Sequence, residues 1–458
     1  MRKMSSHFSV AEPIPALQPR NAGHQFLLYG DACSGVPDGL HEKTFSEVNA
    51  VVRRLEPAPE FIIFPGDEII GLTSDRDQLL AQWRHWIDSE MGWLDRRTIP
   101  MWHATGNHTT YDEMSEQVFR EVLGLPRNGP AGQEGLSYWV RRGDLLLVFV
   151  NTLWSGLGGE GFLETQWLED VLRSNSDACH KLVIGHHPVY SVNGYSGPWQ
   201  RDIEPGAGSA FWDILVKYGV RAYLCSHILA FDVQVHRDVL QICTAGAGTA
   251  HRMPEAVEYL HCVQVALDAM GIRYQVLDTK GAVREALDWC FDGWHPAHRT
   301  ELTIGSCQPP VAFPLEHRRL ELQFSGTAAK VGISRAQTLL CAGRLGELPP
   351  LWIGLRGAEQ RLTAIVHHTS GRSPHYWFGP CVEPGAEFKL RLQLHADLGA
   401  GGLLYWTPER GGWTSMSAVS PWGLERLKPC HDWHIGHACR GATDRPFAGN
   451  SLVGSVSR

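Results

Sequence analysis

Five short apolar runs in the first half of this chain each end in a tight polar segment carrying acidic, amide or imidazole side chains. Gln25-Phe26-Leu27-Leu28-Tyr29 runs into Gly30-Asp31, and Phe61-Ile62-Ile63-Phe64 runs into Gly66-Asp67-Glu68. Met101 to Ala104 precedes Gly106-Asn107-His108, Lys181 to Ile184 precedes Gly185-His186-His187-Pro188, and Ala222 to Leu224 precedes Cys225-Ser226-His227. Leu145 to Val150 is a further run of the same kind. Uninterrupted apolar runs of this length predict strands covered on both faces. In open α/β sheets ligands bind at the C-terminal strand ends, so the pattern predicts that these polar residues converge on one edge.

Amphipathic helical patterns lie between the runs. Phe45, Val48, Val51, Val52 and Leu55 share one face, and residues 78–88, 113–123, 164–172 and 210–218 read the same way. Strands alternating with helices specify an α/β architecture. Cys262 to Leu267 and Arg273 to Leu277 predict a hairpin around Asp268-Ala269-Met270-Gly271. From about Glu301 the character changes to short alternating runs with glycine and proline turns, such as Leu320-Glu321-Leu322-Gln323-Phe324 and residues 388–394. That pattern predicts an all-β sandwich or jelly roll. The expected organisation is a lead-in over 1–23, an α/β domain over 24–298 and a β-sandwich domain over 299–458.

At 458 residues the chain exceeds what one core usually serves, and its 43% hydrophobic and 20% charged residues are those of a globular protein. A net charge of −8 without a Lys/Arg block argues against a nucleic-acid partner. The first twenty residues hold no apolar core of signal-peptide length, and no stretch reaches the roughly 18 apolar residues of a membrane span. Eleven cysteines, odd in number and without paired spacing, fit reduced thiols and a cytoplasmic location.

Taken singly, each polar segment has a plain structural reading. A Gly-Asp after a strand is an ordinary turn or cap, and His186-His187 before a proline can be two packed rings. Taken together, Asp31, Asp67, Asn107, His186 and His227 form a donor set. Carboxylate, amide oxygen and imidazole suit Mn, Fe or Zn.

These segments resemble the calcineurin-like metallophosphoesterase superfamily, whose motifs read D-x-H, GDxx, GNH[DE], a His before Pro, and GHxH. Residues 185–191 and Ala222-Tyr223-Leu224-Cys225 look especially like purple acid phosphatases, and Thr244 to Gly248 resembles the small-residue strand closing that fold. The resemblance spans residues 24–290. It implies a β-sandwich flanked by helices in four layers, α/β/β/α. It also implies metal-dependent hydrolysis of a phosphoester, mono- or diester, with Asp67 bridging two metals. Asn107, His186 and His227 would complete one metal, and Asn107 would also contact substrate. The other metal would take Asp31 and Asp67, but the D-x-H histidine is Cys33 and the last GHxH position is Leu229. Cys33 is either a thiolate ligand or a small buried thiol, so one ion is expected and a second is in question.

By the same resemblance His108 is the general acid, although Thr109 stands where an acidic partner is usual and Ile70 where purple acid phosphatases have a tyrosine. Asp112 or Glu113 could replace the acid, or simply start a helix. Arg201, His251 and Arg252 could reach a phosphate or be ordinary loop charges. The alternative to an enzyme is a degenerate scaffold that binds one metal or none.

In the C-terminal part, Trp433-His434-Ile435-Gly436-His437 and Arg445-Pro446-Phe447-Ala448-Gly449 resemble the closing turn of a laminin-G or concanavalin-like jelly roll. That likeness implies a docking module for a glycan or protein ligand. Its tryptophans at 352, 377, 406, 413, 422 and 433 are expected in the core.

Overall fold

The computed structural model describes residues 12–192, 201–249, 258–293, 299–302, 307–308, 319–330, 335–343, 348–367, 374–395, 402–418, 433–439 and 445–457. Its contacts divide into two units. The first comprises residues 1–187, 224–231 and 244–292, and the second 188–223, 232–243 and 293–458.

In the first unit the apolar runs are strands. β1 (Ile14–Pro15) pairs in parallel with β3 (Leu55–Glu56), and Leu17 N donates to Gln264, so the described part of the lead-in is docked. β2 (Gly23–Leu28), β4 (Ile62–Phe64) and β5 (Met101–His103) pair in parallel. β12 (His261–Asp268), β13 (Gly271–Asp278) and β14 (Val283–Cys290) continue that sheet antiparallel beyond β2. β6 (Tyr138–Arg142) pairs antiparallel with β7 (Leu145–Phe149), which pairs in parallel with β8 (His180–Ile184). Leu224, near the end of β9 (Ala222–Cys225), then accepts from Gly185 N at 3.1 Å. Every residue of β4, β7 and β8 is buried, which is why these segments show no period-two alternation.

The helices follow their apolar faces. α1 (Leu40–Val52) buries Phe45, Val48, Val51 and Val52. α2 (Arg76–His85) starts on an Asp75 cap and continues as a π-helical turn, Trp86–Glu90. α3 (Glu113–Leu123) opens with a capping box between Asp112 and Ser115 and ends at left-handed Gly124. α4 covers Thr165–Ser174. Phe45, Phe64, Trp83, Trp86 and Phe119 pack ring on ring between these helices and the sheet. Tyr138 ties β6 to β5: its hydroxyl donates to His103 O at 2.7 Å and accepts from His103 N at 3.0 Å.

The second unit contains α5 (Pro205–Lys217) and two antiparallel sheets. One sheet holds β10 (Phe231–His236) and β11 (Val239–Thr244), with β15 (Arg299–Leu302), β17 (Arg319–Thr327), β22 (Glu387–His395), β23 (Leu403–Trp406), β24 (Thr414–Ser415) and β27 (Asn450–Ser457). The other holds β16 (Cys307–Gln308), β18 (Ala336–Ala342), β19 (Leu351–Arg356), β20 (Arg361–Val366), β21 (His375–Cys381), β25 (Ser417–Ala418) and β26 (Trp433–Ile435). Alternate residues of both sheets meet in one apolar core, including Leu320, Leu322, Phe324, Ile353, Leu355, Leu390 and Leu392. Trp352, Trp377 and Trp433 are fully buried. Trp406 and Trp413 depart from the expected core role: both are half-buried against the Arg391 guanidinium, at 5.5 and 5.0 Å. Trp422 lies outside the described residues.

The turn after β12 depends on one carboxylate. Buried Asp268 accepts from Met270 N and Gly271 N, and from Arg20 N, Nε and Nη2 at 2.9–3.2 Å. Burial alone would raise its pKa, but the Arg20 and backbone donors win and hold it at about 2. A depressed carboxylate stabilises fully above its unfolded pKa and loses that contribution as pH falls through the folded value. Asp268→Asn should therefore cost about 1–3 kcal/mol at neutral pH. By calorimetry, its deficit against the natural chain should close as pH falls from about 4 to 2.

Candidate metal centre

The loops after the strands hold their polar residues in an unusual backbone. Asp31, Cys33, Asp67 and His227 all have positive φ, at 59°, 42°, 62° and 71°. Left-handed non-glycine residues are uncommon, and such strain clusters at functional sites when the surroundings enforce it. Here the enforcing contacts are ladder-like bonds between loops: Asp31 N to Gly66 O at 3.2 Å, Cys33 N to Asp67 O at 2.8 Å and Ser34 N to Glu68 O at 3.0 Å. Glu90, carried by the π-helical turn, accepts from Ser34 Oγ and Gly35 N and fixes the far side of the first loop. The Ala245–Gly248 run closes the pocket floor, with Ala247 N donating to Gly30 O at 2.9 Å.

Four donor atoms converge. Asn107 Oδ1 is 2.9 Å from both His186 Nε2 and His227 Nδ1. His186 Nε2 is 3.3 Å from His227 Nδ1 and 3.2 Å from Asp67 Oδ2. Ligands at about 2.1 Å from a common ion and 90–109° apart lie about 3.0–3.4 Å from each other. The mutual spacing of the Asn107, His186 and His227 donors fits one ion, with Asp67 joined to them through His186, and the donor chemistry suits one as well. His186 Nδ1 donates to Pro65 O at 2.9 Å, which directs the lone pair of the neutral ring's Nε2 at this set.

The charges point the same way. Asp31 and Asp67 are both buried, and burial together with the Asp67 charge pushes Asp31 up to about 6. Burial opposes ionisation of Asp67 too, but His186 and His108 hold it well below the usual carboxylate range. His186, which burial alone would lower, is raised to about 9 by Asp67 and Asp31. The protein thus places positive charge where two buried carboxylates require it, and a cation would satisfy the same requirement.

The second half of the expected pair is different. Asp31 Oδ2 accepts from Ser226 Oγ and from His227 N at 3.0 Å. Cys33 Sγ lies near Asp67 and His108 side-chain donors. Burial, then Asp67 and Asp31, push the Cys33 thiol up, so the chain by itself keeps it protonated. Leu229 is half-buried and offers no donor atom.

His108 is partly exposed beside this set. Its backbone N donates to Asp67 Oδ1 at 2.8 Å, and its Nδ1 donates to Ile70 O at 2.8 Å. A carbonyl only accepts, so Nδ1 carries the hydrogen and the neutral ring's lone pair is on Nε2. Ile70 thus contributes its carbonyl rather than a phenol. Thr109 is buried and closes its own turn by accepting from Gly106 N, and Asp112 caps α3 through Ser115 N. Neither expected substitute acid orients His108: Asp112 is spent on the cap, and Glu113 sits in the first turn of α3. Arg201 is exposed and falls in the second unit, and His251 and Arg252 lie outside the described residues.

Two further features lie outside the expected donor set. His187 is fully buried, its Nδ1 2.8 Å from Thr152 Oγ1 and its ring 4.4 Å from that of His227. It forms a three-histidine group with His186 and His227, and the doubled histidine before Pro188 was the available clue. Behind Asp67, buried Glu68 bonds His103 Nδ1 at 2.7 Å. Burial raises the Glu68 carboxyl and lowers His103, so the pair is neutral.

The loops after these strands thus gather a candidate metal-binding group of aspartate, amide and histidine donors. Residues 24–231 match the family model described as Calcineurin-like phosphoesterase, which places a domain of that kind over this segment. No curated protein sequence matches the chain. Among solved structures, the chain is similar to GAP50, the anchor in the inner membrane complex of Plasmodium. The identity is 13%, covering 59% of this chain and 89% of that one, with a TM-score of 0.43. The purple acid phosphatase PPD1 from yellow lupin is 14% identical over 59% of this chain and 54% of that one, at a TM-score of 0.44. A dimetal phosphatase from Danio rerio is 15% identical over 59% and 100%, at 0.41.

Gly106 allows the close approach on which the set depends. A Cβ there would sit 2.2 Å from Asp67 Oδ1 and 2.6 Å from Asp67 N. Gly106→Ala should fold, because no left-handed φ is involved, yet displace Asp67. Titration calorimetry with Mn²⁺ should show at least roughly tenfold weaker binding, about 1.4 kcal/mol. Unchanged affinity would mean that Asp67 is not a ligand.

Proposed function

We propose that the first unit hydrolyses a phosphoester, mono- or diester, with one resident Mn, Fe or Zn ion held by Asp67, Asn107, His186 and His227. The observation that carries this reading is the mutual ligand spacing of the Asn107, His186 and His227 donor atoms, with Asp67 Oδ2 at the same spacing from His186. When bound, the ion supplies Lewis acidity toward a phosphoryl oxygen and orients the ester. The chain supplies the rest. His186 is locked in orientation by Pro65 O, and Asp67 is braced by His108 N. His108, with Nδ1 fixed on Ile70 O, presents Nε2 to deliver a proton to the leaving oxygen. The Asn107 amide is placed to contact both ion and substrate. A four-layer α/β/β/α arrangement over 24–298 and a jelly-roll docking domain over 299–458 complete the proposal. No helix among the described residues is long and apolar enough to cross a membrane. A cytoplasmic setting belongs to the same proposal, on the odd number and unpaired spacing of the cysteines in the sequence.

A second reading is supported by Cys33 and Leu229: a degenerate scaffold that binds one metal or none. A single ion forgoes the two-ion clamp on attacking and leaving oxygens, so reduced turnover is expected even of the enzyme.

Elemental analysis of the purified chain should find about one metal per chain by the donor count above. Nitrophenyl phosphate or bis-nitrophenyl phosphate should be hydrolysed with added Mn, Fe or Zn. Asn107→Ala should abolish turnover. His108→Ala should lower kcat by about 10²–10⁴ with metal content unchanged. Absence of both metal and turnover would leave the scaffold reading.

The Cys33→His, Leu229→His double variant separates the two readings. An enzyme limited by its missing ligands should take up a second ion and gain rate toward the same esters. A repurposed scaffold should remain inert even if it binds the ion.

A further inference from the structure

The second unit carries a groove of about 950 Å³ on the outer face of the β18–β19–β20–β21 strands. Arg335, Arg356, Arg361 and Arg445 all line it, and all four are exposed. Glu359 is the single acidic lining residue. Among the described residues, none of the four guanidiniums forms an ion pair. Arg391 in the other sheet is different, gripping Glu321 through Nε at 2.9 Å.

Arg356 and Arg361 are also direct cross-strand partners, next to the turn joining β19 and β20. Like charges placed opposite each other destabilise a sheet, so this pair works against the fold that carries it. Aromatic rings partly offset the cost and hold the guanidiniums in place. Arg356 lies over Tyr376 at 5.7 Å, Arg361 over Phe378 at 4.9 Å and Arg445 over Trp352 at 5.8 Å. Tyr376 and Phe378 are half-buried neighbours on β21, with rings 9° from coplanar. The groove therefore presents ordered guanidiniums over flat aromatic surface.

We propose that this groove binds an acidic oligosaccharide, one whose sugar units bear carboxylate or sulfate groups. Guanidinium forks match those planar or tetrahedral anions, and the aromatic and aliphatic edges suit the C–H faces of sugar rings. The volume is at the upper end for small-ligand pockets, which suits several linked units better than one ion. An extended peptide fits less well: the floor is sheet face, whose backbone groups are already paired between strands, and strand addition needs a free edge. A bilayer surface needs projecting cations, whereas these sit along a recess.

The test uses the full chain and is independent of the metal centre. Titration calorimetry with a heparin-derived hexasaccharide and with hexagalacturonate should show binding of at least one. Neutral cellohexaose should not bind, and added salt should weaken the interaction. The Arg356→Gln, Arg361→Gln double variant should weaken it at least tenfold, while its Tm stays level or rises as the like-charge pair is relieved. Arg445→Gln should weaken it without touching that pair. Nitrophenyl ester turnover should be unchanged in both variants. The proposal is overturned if neither acidic oligosaccharide binds, if the variants bind as well as the natural chain, or if Tm falls by several degrees in the double variant. Tighter binding to phosphatidylserine vesicles or to a phosphoserine peptide than to either oligosaccharide would overturn it as well.

Discussion

Two buried carboxylates, Asp31 and Asp67, raise each other's cost, and much of the first unit's local structure can be understood as the means of keeping them there. Buried charge without compensation is among the most expensive features a fold can hold. Compensation comes from three directions. His186 gives positive charge, the backbone amides of His108 and His227 donate to the two side chains, and Ser226 Oγ donates to Asp31. The donors come from three loops, Ser226 and His227 sharing one, so the carboxylates tie together chain segments that are distant in sequence. The left-handed backbone at Asp31, Asp67 and His227 is the geometry that lets loops from different strands aim inward at once.

Strand positions were readable because doubly covered strands leave an unbroken apolar signal, and the helix over 113–123 has the bounds its pattern indicates. The polar residues at strand ends could be listed from sequence, but not their division of labour. Asp112 was open to two readings, a replacement acid for His108 or a helix start, and it is the helix cap. The orienting group is the Ile70 carbonyl, and no side-chain pattern reports a backbone oxygen. His187 was visible only as part of a motif. Its burial against Thr152 and the His227 ring depends on a pairing across more than thirty residues. In the second unit, alternation correctly indicated strands but not which face each tryptophan would take. Trp377 and Trp433 point inward, whereas Trp406 and Trp413 serve Arg391.

The two units spend their charged residues in opposite ways. In the first, nearly every buried charge is answered within hydrogen-bonding distance, and even the deep Glu68–His103 pair escapes the cost by being neutral. In the second, Arg356 and Arg361 along the β19–β20 hairpin have no counter-charge among the described residues and are steadied by rings and, for Arg361, by Gly379 O at 3.4 Å. Balanced charge explains itself by the stability of the fold. Repulsion retained at a register position, as between Arg356 and Arg361, does not, and it is one of the observations behind the proposed acidic ligand.

The asymmetry of the metal centre also has a proton ledger. An ion held by Asp67, Asn107, His186 and His227 must displace the proton that Asp67 and Asp31 keep on His186 up to about pH 9. That is one proton against three donor atoms at mutual ligand spacing and a carboxylate beside one of them. An ion beside Asp31 and Cys33 must strip a thiol that burial and both carboxylates hold protonated, and it meets no imidazole at position 229. There too a proton must leave, here from a thiol, and it leaves for fewer preformed donors, so a softer, thiolate-seeking ion such as zinc suits that position best. The same carboxylates that favour a cation at the first position, through His186, oppose the ionisation that the second position needs.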